Sequence, residues 1–170
     1  MALRQTEPKE VVVGGTKFYI KPFPAFKSAN LTGELASLLT PILAALAPLV
    51  DDSKKDGEEG SLMDVDVKDA VPSIAKSFEG FSGDKVELLL RKLLIQNRNI
   101  VVEVPDESGE LEQEILNEDL VNEIFCGEVQ DMFILAFEVI RLNFNGFFKK
   151  AAALFGKAGE VAEKKIRKIL

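Results

Sequence analysis

The sequence predicts a mainly α-helical domain, built of amphipathic helices, with a small N-terminal β-hairpin. Three observations carry this reading. Two β-rich runs meet at Gly14-Gly15. Aliphatic residues recur every three or four positions from Leu31 to Leu46 and again from Val86 to Leu94, the spacing of one helix face. A longer series, Val129, Met132, Phe133, Ala136, Phe137, Ile140, Phe144, Phe147 and Phe148, traces a further helical face near the end of the chain.

The hairpin spans residues 10–22. Glu10-Val11-Val12-Val13 and Thr16-Lys17-Phe18-Tyr19-Ile20-Lys21 flank the Gly-Gly pair, and a two-residue turn needs the positive φ that glycine supplies. Pro22 and Pro24 stop the second strand. An isolated hairpin is marginal in water, so it must pack on something. A helix is expected from about Ala25 to Val50, with Asn30 or Thr32 as a cap and Pro41 as a kink or break. The acidic, glycine-containing stretch Asp51 to Gly60 reads as a mobile surface loop. A calcium loop is the sharper alternative, but the oxygen ligands miss the EF-hand positions and lysines interrupt them.

Two helices follow, Val67 to Phe78 and Asp84 to Gln96, with Ser82 able to cap the second. Ile100-Val101-Val102-Glu103-Val104 reads as a strand that either pairs with the hairpin or serves as an extended connector; Asp106 to Glu110 is a turn. Asn117 to Phe125 is a short helix ended by Gly127. The aromatic face after it is either the central core helix or a partner-binding face, in which case Phe133, Phe137, Ile140, Phe144, Phe147 and Phe148 make the contact. Glu128, Gln130, Asp131, Glu138 and Arg141 take the other positions. Residues 1–148 thus form one domain, and 149–170 a basic amphipathic tail. That tail is either a frayed surface helix or a segment that lies on a membrane surface or docks in a groove.

Charge separates the two parts. The tail has seven cations against two anions, +5, which leaves −12 on residues 1–148 out of a net −7. Nucleic acid is an unsuitable partner for so acidic a body, because affinity there comes from neutralising phosphates. Histidine is absent, which removes the usual general base and the commonest metal ligand. Cys126, the one cysteine, follows the apolar Ile124-Phe125 and reads as a packed thiol rather than a nucleophile. There is no P-loop, GxGxxG, CxxC or HExxH pattern. No enzyme activity, cofactor or metal is therefore expected. Paired carboxylates in a pocket would be the one remaining catalytic route. The polar N-terminus lacks the apolar core of a signal peptide. The longest apolar stretch, Leu35 to Val50, is broken by Ser37, Thr40, Pro41 and Pro48, short of the roughly 20 residues a membrane span requires. A cytoplasmic protein is expected.

The segment from Asp119-Leu120-Val121-Asn122-Glu123-Ile124-Phe125 through Leu135 to Phe148 resembles the tail assembly chaperones of long-tailed, siphovirus-type phages. The distinctive element is an aliphatic helix ending in Asn143-Phe144-x-x-Phe147-Phe148, and the strand-like start at Thr16 to Phe23 agrees with it. The resemblance implies a non-enzymatic protein of the host cytoplasm, left out of the mature virion. It would bind the long apolar tape-measure protein and keep it soluble while the tail tube polymerises. It also implies self-association and a longer product of a programmed frameshift, whose extension recruits the tail tube protein. Lys149-Lys150 and Lys164-Lys165 are the late Lys-Lys pairs whose codons could host slippage, the second preferred. The residues themselves leave a rival open: a helical adaptor or structural protein, held at a membrane surface by the basic tail.

Overall fold

Gly14 and Gly15 take φ values of +56° and +81°, the pair of left-handed conformations that lets a two-residue turn match the twist of its strands. They join β1 (Lys9–Val13) to β2 (Thr16–Ile20), with Val13 opposite Thr16 and Lys9 opposite Ile20. The computed structural model describes residues 7–52, 61 and 64–146 of the chain. Within these residues the hairpin is half of a larger sheet. β3 (Ile100–Pro105) lies antiparallel to β2, with Phe18 opposite Val102, so the segment is a paired strand and not a connector. β4 (Leu111–Ile115) returns along β3, with Val102 opposite Glu114. The order is β1-β2-β3-β4. The expected two-stranded element is thus corrected to a four-stranded antiparallel sheet in a chain that remains mainly helical.

Alternation along the strands decides what the sheet covers. Val13, Phe18, Ile20, Ile100, Val102 and Val104 point to one side and are buried. Glu10, Val12, Lys17, Tyr19, Val101 and Glu103 alternate with them on the other side, and Val12 is 63% exposed. The described helices therefore crowd the first side, as expected of a two-layer α+β arrangement. Three of them form an insertion between β2 and β3.

The insertion begins with α1 (Ala25–Asp52), whose Leu31, Leu35, Leu38, Leu39, Ile42, Leu46 and Val50 are buried. Thr32 does not cap it. Its hydroxyl donates to the Ser28 carbonyl one turn back at 2.7 Å, inside a helix that starts seven residues earlier. The limbs Ala25–Ile42 and Ala44–Val50 meet at 62°. Pro41 explains the bend, since it lacks the N–H that would bond the Ser37 carbonyl and its ring crowds that carbonyl. No single described helix is long and apolar enough to cross a membrane; the two limbs pass that test only together. Asp51 and Asp52 belong to α1, so they are not part of the loop expected over Asp51 to Gly60, and 53–60 lie outside the described residues.

α2 (Val67–Ser77) is capped by Asp66, whose carboxylate accepts the Lys68 N–H at 2.8 Å. A single 3-10 turn, Phe78–Gly80, leads to α3 (Gly83–Leu94). Ser82 holds the cap position of α3 but makes no side-chain cap bond; its carbonyl instead accepts from the N–H groups of Lys85 and Val86. α4 (Glu118–Ile124) opens on Asn117, whose side-chain oxygen accepts the Leu120 N–H at 3.0 Å. It closes in a turn where Gly127 has φ +80°. There Phe125 takes the inward place, its ring stacked on Phe18 at 5.9 Å. Cys126, next along, points out and is exposed. The packed-thiol expectation is corrected: only one of two adjacent residues leaving a helix can face the core.

The last described helix, α5, covers residues 129–146. It is buried almost all round from Leu135 to Ile140. It lies along the hairpin, antiparallel to β1, and touches it at three levels. At the turn, a Cβ on Gly14 would run into the Asp131 carboxylate. At the far end of β1, Lys9 Nζ donates to Glu138 Oε2 at 2.6 Å. Beyond β2, the Phe23 N–H donates to Asn143 Oδ1 at 2.6 Å. α5 is thus the packing partner the hairpin required.

Candidate functional site

The aromatic series on α5 is where the sequence placed a partner face, and the structure puts its described members inside. Phe137 is 0% exposed, and Ile140 and Phe144 are 2%. Phe144 meets Phe23 edge-on at 6.4 Å. Phe133 is partly buried, its ring 5.3 Å from that of Phe78. The helix therefore brings Phe133, Phe137, Ile140 and Phe144 together as core and not as an open surface. Phe147, Phe148 and the basic tail lie outside the described residues.

Polar residues assigned to the outside of α5 are drawn in as well. Glu138 is 4% exposed. Lys9 bonds one of its oxygens, while Arg141 Nε reaches the same oxygen at 2.7 Å and Arg141 Nη2 the other at 2.5 Å. The Arg141 guanidinium also lies 5.5 Å from the centre of the Phe137 ring, within cation–π range. A carboxylate this buried is tolerable because two cations saturate it. Sequence reasoning missed the cluster, since Lys9 and Glu138 are 129 residues apart.

What stays open is a cleft between α3, α4 and α5, of about 370 Å³. Its floor is Leu90, Leu94, Ile95, Val121 and Met132. These are the flank of the α3 stripe read from the sequence, met by one residue from each neighbouring helix. Its rim is Glu87, Arg91, Glu118 and Asn122. Arg91 Nε bonds Glu87 and Arg91 Nη2 bonds Glu118, both at 2.7 Å, so the guanidinium ties α3 to the start of α4. Glu118, then Glu87, holds Arg91 protonated well above its usual range, and Arg91 holds the Glu118 carboxyl below its own. The rim's one cation is fully engaged by two anions. α4 has no cation of its own. The cleft is therefore an apolar trough with an acidic edge. A second hollow, of about 390 Å³, lies between Pro41 and Ala45 of α1 and Ser73, Lys76 and Ser77 of α2, with no carboxylate in its lining.

Among the described residues no three Asp, Glu or Cys side chains gather as metal ligands would. The cleft's chemistry is that of packing against an apolar surface, with ionic selection at the rim.

A family model described as phage tail assembly chaperone protein, TAC, matches residues 14–156. The match takes in the hairpin turn, every helix described above and Asn143. No curated protein and no solved structure matches the chain.

Proposed function

The chain belongs to the phage tail assembly chaperones, and from that premise we propose that it binds the tape-measure protein and keeps it soluble while the tail tube forms around it. Family membership over residues 14–156 is the observation that carries this reading. Two features support it. The body is strongly acidic, −12 over residues 1–148, which keeps a complex with an apolar client dispersed. The cleft offers an apolar floor of a size suited to a few side chains. The role is non-catalytic and acts in the host cytoplasm, and the protein leaves before the virion is complete. Self-association would raise the number of client contacts. A frameshifted longer form would bring the tail tube protein to the client.

Pull-down of the tagged chain from cells that also make the tape-measure protein tests the proposal. The tape-measure protein should be recovered, both with the full chain and with residues 149–170 deleted. Recovery of none would refute it. Mass spectrometry of the expressed locus tests the longer form, which must share this N-terminus.

A further inference from the structure

Resting on the reading of the chain as a tape-measure chaperone, we infer that the cleft between α3, α4 and α5 is the client site, and that it takes an amphipathic helix with an aliphatic ridge flanked by lysine or arginine. Three observations lead there. The floor is aliphatic and thioether only, and it is concave, so it fits the ridge of a helix rather than a flat strand. Val129, three residues before Met132 on the same side of α5, is 51% exposed, and Leu88, three before Arg91 on α3, is 46% exposed. Two of the helices that line the cleft thus also carry exposed apolar side chains outside its polar rim. The rim is the third. Glu87 and Glu118 share a single guanidinium, two carboxylates against one cation, and α4 carries no cation of its own. A ligand with anionic flanks would be repelled, and a cationic one gains contacts on both walls.

Charge separates this occupant from the obvious competitors. A nucleic acid or an anionic membrane would meet the wrong sign at the rim. Arg91 gives the site its adaptability. It bridges two walls from an exposed position, so a client cation can take over Glu118 or Glu87 while Arg91 keeps the other.

The test uses the full chain and overlapping synthetic peptides of the tape-measure protein, with binding followed by calorimetry. Asn122→Trp fills the cleft from an exposed rim position. Glu87→Lys with Glu118→Lys reverses the rim. Glu114→Lys on β4 makes the same charge change on the sheet. Circular dichroism melting confirms that each variant folds. Peptides with basic-flanked aliphatic ridges should bind the parent chain. Asn122→Trp and the rim reversal should each weaken them by about tenfold or more, while Glu114→Lys should bind like the parent. The rim reversal should also flatten the dependence on salt. If both cleft variants bind as the parent does, the site is wrong although the chaperone reading stands. If the parent binds no peptide and no intact tape-measure protein, both fall. If a peptide of residues 149–170 displaces the client peptides and deleting 149–170 tightens them, the resident occupant is this chain's own tail, and the inference of a client-only site is overturned.

Discussion

Asn143 holds the chain's first long connection to its last described helix: Oδ1 accepts the Phe23 N–H at 2.6 Å, and Nδ2 donates to the Val139 carbonyl at 2.9 Å. Pro22 and Pro24 on either side of Phe23 have no N–H, so the Phe23 N–H is the only donor this stretch of backbone offers. The Asn-Phe pair that marks the family resemblance is, in this fold, a clasp: Asn143 takes the backbone of Phe23, and Phe144 takes its ring. Asn143→Ala removes the acceptor and leaves a part-buried N–H unpaired. It should destabilise the protein by about 1–3 kcal/mol, seen as a lower midpoint in urea. An unchanged midpoint would mean that water replaces the clasp without loss.

Phe137 and Phe133 share a helix but not a fate. Phe137 is fully buried and Phe133 only partly so. Phe137→Ala should cost about 3–5 kcal/mol, and Phe133→Ala clearly less. Thermal melts of the two variants check the order. Equal melting temperatures would place Phe137 on an open face.

The single tyrosine reports on the outer face of the sheet. The Tyr19 hydroxyl donates to Glu103 Oε1 at 2.5 Å, which raises the phenol's pKa, with burial adding to the effect. The same bond lowers the Glu103 carboxyl, helped by the Lys17 charge and opposed by burial. The signs give two windows. The raised phenol stabilises the fold fully below its unfolded pKa, about 10, and that stability is lost as pH rises through the folded value. The lowered carboxyl stabilises the fold above its unfolded pKa, about 4.3, and that stability is lost as pH falls through the folded value. With one Tyr and no Trp, phenolate absorbance follows Tyr19 alone. It should titrate above pH 10, and Glu103→Gln should bring it back toward the ordinary midpoint. A parent titration at the ordinary value would contradict the bond.

Gly14 and Gly15 are not equivalent. Both have positive φ, but a Cβ at Gly15 meets open space, while one at Gly14 meets the Asp131 carboxylate. Ala at either position should destabilise by about 1 kcal/mol through backbone strain, and Gly14→Ala by more. Adding Asp131→Ala should remove the excess at Gly14 and change nothing at Gly15. Denaturation of the four variants gives the comparison.

How far the sequence could be read follows from these contacts. The hairpin was legible because Gly-Gly between β-rich runs has one strong solution, and the helices because their apolar residues keep one period. β4 was not. Leu-Glu-Gln-Glu-Ile is exposed at every position, so it shows no buried alternation, and an edge strand needs none. The Asp106 to Glu110 turn, where Asp106 Oδ1 accepts from the N–H groups of Ser108 and Glu110 and Gly109 has φ +85°, was the signal that a returning strand must follow. The sequence leaves two roles open for the α5 face, since periodicity shows that a face is apolar and not what covers it. Phe137, Ile140 and Phe144 prove to be buried, and Phe144 meets Phe23. The cleft was invisible because its walls come from three helices that only the fold brings together.

The tape-measure protein is the client we propose for this chain, and its solubility is what the chain should change. The most direct measurement is the soluble fraction of the tape-measure protein when it is made alone and when it is made with this chain at matched levels. It should aggregate alone and move to the soluble fraction, in complex, when this chain is present. A soluble fraction that is the same with and without this chain would contradict it.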